Sequence, residues 1–88
     1  MNKKERKIML TASSALKDAN ALIDDARNIL DDILTEENEK MSNLEENFSD
    51  TDMYLLIEEI SERLGNSIDT LESVEDDIKE VIDDIESM

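Results

Sequence analysis

The chain has 88 residues, enough for one domain at most, with 25 Asp and Glu against 9 Lys and Arg and a formal net charge of -16. It has no Cys and no His, which excludes disulfides, thiolate metal sites and any histidine acid–base or metal chemistry. Pro is absent and the one Gly is Gly65, so the main helix breakers are missing from a sequence rich in Leu, Ile, Ala, Glu and Asp.

The charge is uneven. The first ten residues carry four bases (Lys3, Lys4, Arg6 and Lys7) and one acid, Glu5; the rest of the chain carries five bases and 24 acids. An acidic body repels phosphate, so direct binding to nucleic acid or an anionic membrane is not expected, and a basic protein partner is. The basic start is followed by IMLTASSALKDAN, too polar for a signal h-region, and no apolar run reaches the roughly 18 residues of a membrane span. The expectation is a mature cytoplasmic protein.

The first predicted element is a helix over about 3–45. With Ala12 at heptad position a, rows a (Ala12, Ala19, Ala26, Ile33), d (Ile8, Ala15, Leu22, Ile29) and e (Met9, Leu16, Ile23, Leu30) are all apolar. Asn2 with Glu5 three residues on offers an N-cap. Alanine at three successive a positions allows a neighbouring helix to approach closely.

A turn is predicted near 46–49 and a second helix over about 50–87. In NFSDTDM, Ser49 is the expected N-cap, with Phe48 and Met53 as a hydrophobic staple. Asp50-Thr51-Asp52 only superficially starts a calcium loop, because the sixth-position Gly is missing and MYLLI follows. With Ile57 at a, row a is Ile57, Leu64, Leu71, Ile78 and Ile85; row d is Met53, Ile60, Ser67, Val74, Val81 and Met88. The expected fold is all-α: two long amphipathic helices in an antiparallel coiled-coil hairpin, a single domain over 1–88. Two helices touching along one seam bury little, and helix 1 is apolar over three rows. The hairpin is therefore expected to dimerise into a four-helix bundle. The surface assigned to the dimer or a partner is Met9, Leu16, Ile23, Leu30, Tyr54, Leu55, Ile68 and Ile82. Residues 53–57 are apolar all round the helix, with Leu55 pointing outward as a knob.

The acids are ordered too. Asp18, Asp25, Asp32, Glu39 and Glu46 recur at sevens on row g of helix 1, and Glu62, Asp69, Asp76 and Asp83 on row f of helix 2. Each step is about 10.5 Å, so the first row runs roughly 42 Å. Few bases interrupt either row, although mixed signs would favour the isolated helix. The usual reading of such rows is a solvated face; the sharper one is a surface for a basic partner. No nucleophile arrangement is recognisable, and no enzyme activity, cofactor or metal is expected.

The stretches ILDDILTEENEKMSNLEENFSDTDMYLLIEEI and LESVEDDIKEVIDDIE resemble small acidic helical-hairpin proteins of Gram-positive bacteria and their phages. The likeness lies in the acid run Glu36-Glu37-Asn38-Glu39, the N-L-x-E turn at Asn43–Glu46 and the repeated Ile-acid-acid units, and it covers about 29–86. It implies a phage or mobile-element setting in the host cytoplasm. The implied function is an inhibitor that occupies a cationic nucleic-acid-binding surface of a host defence protein, as a DNA mimic. The alternative is a structural or adaptor coiled coil that works through its apolar face.

Overall fold

A computed structural model describes residues 1–48 and 51–88, the side chains of 45–48 excepted. Two helices, α1 (Lys3–Phe48) and α2 (Asp52–Ser87), pack along each other as a hairpin 68 × 15 × 15 Å in extent. Helix α1 starts as its sequence prescribes: Asn2 Oδ1 accepts from the Glu5 backbone N–H at 2.8 Å, and the Asn2 carbonyl accepts from the Arg6 N–H. Helix α2 starts later than the sequence suggests. Its N-cap is Thr51, extended at φ -81 and ψ 154, whose hydroxyl accepts from the Tyr54 N–H at 3.2 Å. Ser49 and Asp50, and the Phe48 half of the expected staple, lie outside the described residues.

The seam is regular: it keeps row a of α2 but not rows a and d of α1. On α1 the residues turned toward α2 step by four and three through Met9, Ser13, Leu16, Asn20, Ile23, Arg27, Leu30 and Leu34. These are row e and the row next to it, b. On α2 they are rows a and e, with Ile57 and Ile82 the most buried apolar side chains. Period-3.5 spacing on both helices is what two antiparallel helices need to stay in contact over their length. The a and d rows of α1, expected to form the seam, stay outside it: Ile8 is 63 % exposed, Leu22 69 % and Ile29 60 %.

Polar groups across the seam explain the choice. Row b of α1 supplies Ser13, Asn20 and Arg27, and α2 supplies Glu75 and Glu86 opposite them. The Ser13 hydroxyl donates to Glu86 Oε1 at 3.1 Å, and Lys17 pairs with the same carboxylate. Asn20 Nδ2 donates to the Glu75 main-chain carbonyl at 3.1 Å, and Arg27 Nη1 reaches Glu75 Oε1 at 3.4 Å. Burying Glu75 without a partner would be costly, so these contacts help select one rotation of the helices over another. At the open end Arg6 Nη1 donates to the Met88 carbonyl at 2.9 Å. The basic N-terminus is thereby tied to the last residue of the chain.

Candidate functional site

The hairpin has one apolar side. Each residue advances about 100° around a helix, which puts rows a and d of α1 roughly 100° from its seam and row d of α2 roughly 80° from its own. Both offsets run in the same rotational sense along the chain. Two antiparallel helices are related by a two-fold axis normal to their common plane, so offsets of the same sense emerge on the same side. Ile8, Leu22, Ile29 and Ile33 of α1 therefore share a face with Val74, Val81 and Met88 of α2, and all seven are exposed. Ala12, Ala15 and Ala26 lie between them, also exposed. This two-helix surface is much larger than the scattered apolar side chains that a monomer ordinarily shows.

The acids lie elsewhere. Row g of α1 sits opposite its seam on the outer edge, and row f of α2 is turned about 120° away from its seam, toward the side opposite the apolar face. Asp18, Asp25, Asp32 and Glu39 are exposed, as are Glu62, Asp69, Asp76 and Asp83. The Glu46 side chain lies outside the described residues. Asp76 is 4.0 Å from Lys79, at the limit of an ion pair. Apolar face and acid rows thus occupy different sides of one rod.

The proposed partner surface divides on inspection. Met9, Leu16, Ile23 and Leu30, with Tyr54, Ile68 and Ile82, lie within the hairpin's own seam, half-buried or buried between the two helices. Of the eight residues assigned to a dimer or partner, only Leu55 stands exposed, at 56 %. The open apolar rows are a and d of α1 and d of α2. Met53 and Leu56 are exposed beside Leu55, so the apolar end of α2 is open.

Two carboxylate–cation contacts shift the groups that make them. The Glu86 carboxyl is held below its ordinary value, chiefly by the hydrogen bond from Lys17 and then by that from Ser13. Lys40 is raised by its hydrogen bond and charge pairing with Glu37, 3.0 Å away. Sequence reading missed the polar seam of Ser13, Asn20, Arg27, Ser61 and Glu75. Its signal on α1 is the recurrence of Ser13, Asn20 and Arg27 at sevens on row b, beside the apolar row e. Asn20 Oδ1 and Ser61 Oγ are buried there without a protein hydrogen-bond partner.

Among the described residues no group of three or more His, Cys, Asp or Glu side chains is arranged to hold a metal ion. Among them, too, no helix is long and apolar enough to cross a membrane. Neither family models, nor characterised proteins, nor solved structures match the chain.

Proposed function

We propose that the protein is a protein–protein interaction module that pairs with a second copy through its open apolar face, forming a four-helix bundle. Its outward acid rows then take a basic partner, of the kind whose cationic groove binds nucleic acid. The observation that carries this reading is the separation of the two surfaces: covering the apolar face leaves the acid rows free. Area supports the pairing. The chain exposes 6597 Å², whereas a compact monomer of its mass would expose about 5,300 Å². The difference exceeds the roughly 800 Å² that each partner buries in a standard interface.

Charge supports the second step. One hairpin spreads a net charge of -16 over 68 Å, about one charge per 4 Å. Duplex DNA carries about one per 1.7 Å. Two hairpins side by side would carry about one per 2 Å over the same length, so pairing brings the surface closer to the polyanion it would imitate.

The reading is tested in two stages. Sedimentation of the purified chain should give a dimer, and Leu22→Asp should give a monomer because it buries a charge at the centre of the face. The second stage is capture of basic proteins from a host lysate at low and high salt. A captured protein should be a nucleic-acid binder that duplex DNA displaces. Its capture should fall steeply with salt and be lost when Asp25, Asp32, Asp76 and Asp83 are all changed to Asn. Salt-insensitive capture that survives the fourfold change, but not Leu55→Asp, would favour the adaptor reading, in which the exposed apolar end of α2 is the working surface.

A further inference from the structure

We infer that the second copy docks antiparallel, α1 against α1, about a two-fold axis that crosses α1 between Asn20 and Ala21. The inference rests on the self-pairing proposed above and adds its geometry.

The open apolar positions on α1 are symmetric about its midpoint between Asn20 and Ala21. They run from Ile8 to Ile33, and the next row positions beyond those ends are Glu5 and Glu36. In an antiparallel, isologous pair each residue meets its mirror position on the other copy. Reflection about the midpoint brings Ile8 to Ile33, Ala12 to Ile29, Ala19 to Leu22, and Ala15 to Ala26. Small side chains meet large ones in two of these layers. The Ala15–Ala26 layer allows the two helices to come close. A parallel pair would set Ala12, Ala15, Ala19 and Ala26 against themselves and the bulky residues against themselves, leaving gaps beside crowded layers.

Helix α2 is consistent with the same axis. Its open row d has a mirror point between Val74 and Val81, where Val74 of one copy would meet Val81 of the other. That point lies level with the midpoint on α1, because Asn20 bonds the Glu75 carbonyl and Ser13 bonds Glu86 across the seam. One axis therefore serves both helices of the face.

Charge complementarity points the same way. The arrangement brings Lys3, Lys4, Arg6 and Lys7 of one copy level with Glu36, Glu37 and Glu39 of the other. Glu5 of one copy comes level with Glu36 of the other, and the four cations around them offset that pair. A pairing with the N-termini at one end would instead gather the cations of both copies together, leaving the acidic turn ends side by side. The antiparallel assembly is staggered, about 83 Å long by helix rise, so its net charge falls at about one per 2.6 Å. Its acidic turn ends, with Leu55 exposed, project at both extremities.

The chain has no cysteine of its own, so engineered thiols report the arrangement directly. Ile8→Cys mixed with Ile33→Cys, and Ala15→Cys mixed with Ala26→Cys, should each give a disulfide-linked dimer under mild oxidation. Ile8→Cys alone should not, since its two thiols would lie about 37 Å apart, far beyond disulfide reach. Each variant is first shown to keep the parent's helical circular dichroism and its sedimentation. A dimer in which neither mixed pair links, or in which Ile8→Cys links to itself, overturns the arrangement and leaves the pairing standing. A parent chain that sediments as a monomer overturns both.

Discussion

Arg27 and Glu75 meet across the seam, and the Glu75 side chain is 8 % exposed against 27 % for Arg27. Removing the cation alone strands a buried carboxylate. Arg27→Met should therefore cost about 1–3 kcal/mol in urea unfolding. The double change Arg27→Met with Glu75→Met should recover most of that loss, since an apolar pair needs no desolvated charge. A double variant no more stable than the single one would mean that the pair is not the relevant contact. At the exposed end of the seam Glu86 is a gentler case. Its folded-state value is depressed, so its small contribution is present above the ordinary carboxylate range and is lost as pH falls through the folded value. An NMR titration should place the Glu86 midpoint below the ordinary glutamate value, and Lys17→Met should move it up.

Along each element, the features that make a helix were legible before any packing was considered. Asn2 caps α1 as its spacing with Glu5 suggests and α2 ends where expected, whereas α1 runs on to Phe48, three residues past its expected end and into the predicted turn. The start of α2 was misplaced because Ser49 and Thr51 can each cap, and a local motif does not decide between them. Gly65 is the weak point of α2. A Cβ there would meet nothing within 4 Å, and the residue has no positive φ to require glycine. Gly65→Ala should stabilise the protein by about 0.5–1 kcal/mol, read as a higher melting temperature. A lower melting temperature would show that glycine is needed there for a contact beyond this hairpin.

For the whole molecule, charge and apolar area pull in opposite directions under salt. Successive acids of a row are about 10.5 Å apart, close to the Debye length of about 10 Å at 0.1 M salt, and at 1 M that length is about 3 Å. Raising salt should screen the self-repulsion of a chain at -16, raise the melting temperature and tighten self-pairing. The same change should loosen a basic partner from the acid rows. Thermal melts and sedimentation across a salt series read the first effect, and partner capture reads the second. A melting temperature that falls with salt would show that cross-sign contacts, such as Lys17 with Glu86, outweigh the repulsion between acids.

Composition and period alone determined that this chain is helical, that it has two long arms, and that its acids recur at sevens. Those properties are local: they depend on helix propensity, on the absence of proline, and on 3.6 residues per turn. Which rows meet was not local. Helix α1 has apolar residues on rows a, d and e, wider than one neighbour can cover, so periodicity alone could not say which part would be used. The answer came from the partner helix. Buried Glu75 is met by Arg27, and Asn20, Ser13 and Lys17 add contacts to Glu75 and Glu86, in the rotation of α1 that brings row e inward. That rotation left rows a and d open on the same side as the open row of α2. Only the packed pair of helices reveals that apolar face, because its existence depends on what the seam did not use.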